Sequence, residues 1–171
     1  MAISDGMVFA DGTKEADATL LVAVAARDKL LKAGYDVLML RNGEDVQLDN
    51  VARTVICNNR ADCHISIHFD GDSLDYDKGC FYISVPDELK EKAPVCDVWE
   101  ASESLGEYLI KGLASQGISV YKSGSIDIDL TQTSYSKVPS VDIELGNRHS
   151  KLTQESIEAY AEGLVQGLLL R

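Results

Sequence analysis

Apolar residues along this chain switch repeatedly between two spacings, and that switch restricts the fold more than any other feature. Over residues 14–32 they recur at Ala18, Leu20, Leu21, Val24, Ala25, Leu30 and Leu31, the period of a helix, and Gly34 follows as a stop signal. Residues 35–40 (Tyr-Asp-Val-Leu-Met-Leu) are then a short run of strand formers closed by Asn42-Gly43, which predicts a strand and a turn. Helical spacing returns over residues 46–59 through Val46, Leu48, Val51, Val55 and Ile56. Residues 63–69 alternate and are β-branched, stopping at Asp70-Gly71-Asp72, so a strand is expected there. Further strands are predicted over 79–85, 118–121 and 138–145, a charged loop over 87–97, and helices over 98–116 and 152–170. Helix and strand signals alternate throughout. The expected fold class is therefore α/β, with a mostly parallel twisted sheet and helices on both faces.

Length and charge narrow the function. A chain of 171 residues predicts one domain spanning 1–171, since no linker or repeat divides it. Its 28 acidic residues against 16 basic ones leave a net charge of −12 without a Lys/Arg block, which argues against nucleic-acid partners. No apolar run reaches the roughly 20 residues of a membrane span, and residues 1–5 lack the pattern of a signal peptide. Cys57, Cys63, Cys80 and Cys96 show no Cys-x-x-Cys spacing and read as small, mostly buried apolar residues.

Only three histidines are present, so each can be weighed. His64 and His68 share a strand face, but four residues at about 3.3 Å each hold their Cα atoms about 13 Å apart, too far to share one metal. His68 lies beside the Asp70-Gly71-Asp72 loop, where open α/β sheets collect their chemistry, and is either a ligand or a hydrogen-bonded, half-buried imidazole. Glu144 is an ionisable residue in a strand otherwise suited to burial; either it ends that strand in solvent or it is functional. Asp142 shares its face and would raise its proton affinity if both were dry. Glu15 opens the first helix, where the macrodipole favours an acid with or without a function. Arg41 and Arg53 are explained equally well by solvation or ion pairing.

In order, the residues Lys14-Glu15-Ala16-Asp17, Arg41, Arg53, Asn58, Ala61-Asp62, Ile65-Ser66-Ile67-His68, Gly79-Cys80-Phe81-Tyr82 and Pro139-Ser140-Val141-Asp142-Ile143-Glu144-Leu145-Gly146 resemble the zinc-dependent N-acetylmuramoyl-L-alanine amidases of the amidase-3 type. The resemblance covers nearly the whole chain. It implies a three-layer, phosphorylase/hydrolase-like sandwich, Zn2+ as cofactor, Glu15 and His68 as metal ligands, and Glu144 as the catalytic glutamate. The implied reaction is hydrolysis of the amide between N-acetylmuramic acid and L-alanine. Peptidoglycan would be the partner, met outside the cytoplasm by a monomeric wall-remodelling enzyme or lysin.

Asp142 and Asp70 depart from the family's pattern, which usually has an apolar residue and an Asn there. A larger departure concerns the family's first strand and first ligand His. Ser4-Asp5-Gly6-Met7-Val8 looks like the stretch that follows them, so both are expected upstream of Met1, with His149 as a conceivable substitute ligand. The alternative function is a non-catalytic, amidase-like module that binds or regulates walls after losing a zinc ligand; a hydrolase of another amide is a third.

Overall fold

The computed structural model describes residues 6–43 and 48–170, so Ser4, Asp5 and Val46 lie outside the described residues. Helix α1, Glu15–Lys32, has Glu15 and Asp17 in its first turn and Lys29 and Lys32 in its last, the charge order that its macrodipole favours. It buries Ala18, Thr19, Val22 and Ala26. Helix α2, Asn50–Arg60, begins at Asp49, whose carboxylate accepts the Ala52 N–H at 2.8 Å and so satisfies one orphan donor of the first turn.

Four strands follow: β1 (His64–Asp70), β2 (Cys80–Ser84), β3 (Val120–Asp127) and β4 (Ser140–Asn147). They form one sheet in the order β1-β4-β2-β3, with β1/β4 and β2/β3 parallel and β2/β4 antiparallel. Between and after the strands come α3 (Asp87–Lys90), a 3-10 turn (Val95–Asp97), α4 (Trp99–Ser115), α5 (Thr131–Ser134) and α6 (Gln154–Leu169). The architecture is the expected α/β sandwich, a mostly parallel sheet with helices around it.

Strand alternation gives the sheet two unlike faces. Ile65, Ile67 and Phe69 of β1, Tyr82 of β2 and Val141, Ile143 and Leu145 of β4 belong to one apolar cluster with Val22 of α1, Leu105 and Leu109 of α4 and Leu164 of α6. Phe69 meets Phe9 and Tyr160 edge-on, with ring centroids 5.0 and 5.5 Å away. Helices α4 and α6 touch through glycine: a Cβ on Gly112 would stand 2.1 Å from the Gly163 carbonyl oxygen, so only a bare backbone permits that approach.

The other face carries His64, Ser66 and His68 beside Ser140, Asp142 and Glu144, paired in parallel register. Burial of so many polar groups requires donors and acceptors. Gln132 of α5 supplies them by donating to Ser66 Oγ at 2.6 Å, while Thr133 donates to Asp142 Oδ2 at 2.5 Å. Helix α2 closes over α5, with Asn58 Nδ2 donating to the Tyr135 carbonyl at 3.3 Å.

The structure corrects four expectations. Residues 35–40 form no strand: among the described residues, no strand lies beside them to complete a ladder. They keep the strand-like alternation even so: Val37 and Met39 are half-buried, while Asp36 and Leu38 are exposed. The strand expected over 118–121 instead runs from Val120 to Asp127 as a polar sheet edge, passing the positive-φ positions Lys122 and Gly124. The loop at 87–97 contains α3 and the 3-10 turn, and α5 lies where no helix was expected.

Candidate active site at the carboxyl ends of β1 and β4

The β1/β4 register places His68 directly opposite Glu144, and α1 starts above that corner with Glu15. Three acids and one imidazole thereby converge from three elements. Glu15 Oε1 lies 3.2 Å from His68 Nδ1 and accepts the Phe69 N–H at 3.3 Å; its Oε2 accepts the Met7 N–H at 2.9 Å. On the ring's far side, Asp142 Oδ1 lies 3.5 Å from His68 Nε2. The imidazole is strung between two carboxylates.

That arrangement sets the proton affinities. Burial would lower the His68 pKa, but Asp142 and Glu15, with the Glu144 charge behind them, raise it to about 10. Burial would raise the Glu15 carboxyl, yet the hydrogen bonds from His68, Met7 and Phe69 hold it below its ordinary value. Asp142 follows the same logic: its 2% exposure opposes ionisation, and His68, Thr133 and Ser66 outweigh that cost.

Glu144 behaves oppositely. Burial pushes its carboxyl up to about 8, and the charges of Asp70, Glu15 and Asp142 add to the rise against the pull of His68. The buried Phe81 ring stands opposite Glu144 in the antiparallel register and makes that wall apolar. Glu144 Oε2 is buried without a hydrogen-bond partner among the described residues, an unusual state for a carboxylate oxygen. A carboxyl group that titrates near neutrality with an unengaged oxygen is suited to accept and return a proton.

The loop leaving β1 is held by Lys78. Its ammonium, on a side chain only 4% exposed, contacts Asp70 and lies 2.8 Å from Asp72. The same ammonium sits over the Phe81 and Tyr121 rings, 4.5 and 4.6 Å from their centroids. Asn147 ties the loop from the other side, donating to Asp72 and to the Tyr76 carbonyl at 2.9 Å.

Glu15, His68 and Glu144 are thus brought together, whereas His64 lies deeper, near Ser66, Gln132 and Ser140, where burial lowers its pKa. His149 sits in the turn after β4, its backbone N–H on Asn147 Oδ1. Among the described residues, no group of three or more His, Cys, Asp or Glu side chains is arranged to hold a metal ion. A catalytic zinc centre uses three protein ligands and one open position, so the Glu15–His68 pair is one donor short. Sequence reasoning missed Asp142 as the partner of His68, Phe81 as the wall beside Glu144, and Lys78. The signal for Asp142 was its place two residues from Glu144 on the same strand face.

A family model described as N-acetylmuramoyl-L-alanine amidase matches residues 3–168. A search of curated protein sequences finds no match. Among solved structures, the apo form of the amidase Ami1 from Mycobacterium abscessus is 24% identical, with a TM-score of 0.82 over 96% of this chain and 81% of that one. An N-acetylmuramoyl-L-alanine amidase from Clostridium difficile 630 is 21% identical, with a TM-score of 0.81 over 99% of this chain and 90% of that one. The catalytic domain of CwlV, an amidase from Bacillus (Paenibacillus) polymyxa var. colistinus, is 17% identical, with a TM-score of 0.80 over 99% of this chain and 91% of that one. At these identities the structural likenesses establish the fold.

Proposed function

From the premise that the chain belongs to the N-acetylmuramoyl-L-alanine amidase family Amidase_3, we propose that it hydrolyses the amide between N-acetylmuramic acid and L-alanine in peptidoglycan, with Glu144 as the proton-transfer residue. The observation that carries this reading is the Glu144 carboxyl: buried beside Phe81, raised to about 8, with an oxygen left unengaged at the corner where β1 and β4 end. Amide hydrolysis needs a group that takes a proton from the attacking water and gives it to the departing nitrogen. A carboxyl group poised near neutrality does both. Its role is thus argued from burial and position together.

The family is generally metal-dependent. Glu15 and His68 are the metal-binding pair in this reading, and one carboxylate with one imidazole suits Zn2+. Asp142 would hold the ring so that Nδ1 stays turned to Glu15. In this reading the enzyme acts outside the cytoplasm, at the cell wall, as a remodelling enzyme or lysin; the family's peptidoglycan substrate supports it. No helix of the described residues is long and apolar enough to cross a membrane.

A second reading takes the Glu15–His68 pair that the described residues bring together as it stands, and makes the protein a non-catalytic wall-binding or regulatory module. One experiment separates the two. The full-length protein, analysed for metal after zinc supplementation, is incubated with purified walls, and newly freed alanine amino groups are counted. Bound zinc with amide cleavage is the expected result; wall binding without metal or cleavage would replace the enzyme by the module.

A further inference from the structure

Three segments meet above the carboxyl ends of β1 and β4, and one residue joins them. The Arg148 guanidinium donates through Nη2 to the Gly71 carbonyl at 3.1 Å, three residues past His68. The Arg148 carbonyl accepts the Ala10 N–H at 3.4 Å, in the segment that leads into Glu15. Arg148 itself stands four residues past Glu144, so at most about 13 Å of extended chain separates the two Cα atoms. It thereby touches the approach to each of the three candidate site residues.

The turn that presents Arg148 is fixed in advance. Asn147, 0% exposed, accepts the His149 N–H on Oδ1 at 3.0 Å and donates through Nδ2 to Asp72 and the Tyr76 carbonyl. Its own N–H goes to Ser150 Oγ at 3.0 Å, and the Ser150 N–H returns to the Asn147 carbonyl at 2.9 Å. A side chain leaving such a turn has little freedom left to lose on binding. Charge adds a second constraint. Asp70 and Asp72, which flank Gly71, are both engaged by Lys78. Arg148 is exposed, and among the described residues its guanidinium meets no carboxylate, only the Gly71 carbonyl. The rest of its donor fork is open, in a chain of net charge −12. Glu15, Asp70, Asp72, Asp142 and Glu144 crowd the corner beneath it, so an anionic ligand approaches only where a fixed cation meets it.

On the amidase reading, on which this rests, we propose that Arg148 is a specificity residue: its guanidinium binds a carboxylate carried by the peptide that continues beyond the L-alanine. The peptide then lies across the carboxyl ends of β1 and β4, with its scissile amide at Glu144. Gly71 holds Nη2 and fixes the plane of the group, leaving donors for a two-bond grip that an ammonium does not reproduce. Extended peptide advances about 3.4 Å per residue, so the bound carboxylate belongs to a residue within about four of the scissile amide. Arg148 takes no part in proton transfer, which stays with Glu144.

The test uses the full chain and synthetic N-acetylmuramoyl-L-alanyl peptides, amidated at the C terminus. Each bears one glutamate at the first, second or third place after alanine, and each has a glutamine counterpart. Cleavage rates and equilibrium binding by calorimetric titration are measured for every pair. In at least one pair the glutamate peptide should be preferred about tenfold, the worth of one charge-assisted contact, with the difference in KM rather than kcat. Arg148→Gln should abolish that preference, Arg148→Lys should keep part of it and Lys151→Gln all of it; unchanged melting checks the fold of each variant. Absence of preference in every pair, by cleavage and by binding, overturns the proposal, and so does a preference that survives Arg148→Gln. Equal loss in Lys151→Gln would make the effect one of net charge, and displacement by equimolar inorganic phosphate would make the site a general anion site; either overturns it. Cleavage without acid preference sinks the proposal and spares the amidase reading, whereas acid-selective binding without cleavage does the reverse.

Discussion

The two flanks of β1 are built from the same residues and have opposite characters. Toward β4 the strand is laddered in register from His64 to His68, and its polar side chains join a buried layer in which carboxylates, an imidazole and hydroxyls satisfy one another. Away from β4 the Phe69 N–H goes to Glu15, while those of Ile65 and Ile67 meet no acceptor among the described residues, beside a large cavity. Pairing decides the difference. Where the ladder is complete, backbone positions are fixed well enough for charged groups to be held within 3.5 Å of one another; where it is not, the same strand offers hydrogen-bonding capacity without chemistry.

The largest expected effect breaks the closed flank at its centre. Glu144→Gln should lower amide cleavage on the order of 10²–10⁴-fold, the usual worth of a general acid–base, while leaving metal content unchanged. Retained cleavage would move the proton transfer to another residue. The same variant tests the raised carboxyl. A carboxyl lifted from 4.5 to about 8 stabilises the fold below its unfolded pKa and loses that contribution as pH climbs through 8. In metal-free protein, Glu144→Gln should therefore melt higher than the parent at pH 9, with the gap closing toward pH 5 in thermal scans.

A matched pair of truncations compares the flanks directly. Ile143→Ala removes a side chain of 0% exposure from the β4 core and should cost about 2–5 kcal/mol by urea titration. Ile67→Ala, partly buried beside the cavity, should cost only about 1 kcal/mol, because its site has room to relax. Equal costs would mean that the cavity side is as tightly packed as the core. The smallest effect belongs to the rim: Asp49→Ala removes the cap of α2 and should cost about 1 kcal/mol, leaving cleavage unchanged.

The same contrast explains what the sequence could and could not disclose. Helix α1 was legible because its apolar period and end charges are local properties, and β4 because Val141, Ile143 and Leu145 recur at every second position. Residues 35–40 misled because a strand is a relation between two segments, and alternation reports only one of them. The polar edge strand β3 was expected to span only 118–121, since an exposed edge has no apolar face to announce its full length. Helix α5, four residues of Thr, Gln and Ser, owes its form to the polar layer that it covers rather than to propensity. For the candidate site, Glu15, His68 and Glu144 were singled out through the family resemblance, and the fold brings them to one corner. The Asp142–His68 contact could not, because it depends on the register between β1 and β4.

The clamp around Lys78 has a consequence for how this corner responds to its medium. A chain at −12 gathers Asp70, Asp72, Asp142, Glu15 and Glu144 within a few residues of one another in space, and ordinarily such crowding would draw in solution cations. Lys78 supplies the compensating charge from inside, on a side chain 4% exposed and roofed by two aromatic rings. Counter-ions reach exposed charges far more readily than enclosed ones. Added salt should thus relax the repulsion spread over the surface while the loop after β1 keeps its shape, giving a protein whose outer electrostatics follow its surroundings and whose reactive corner does not.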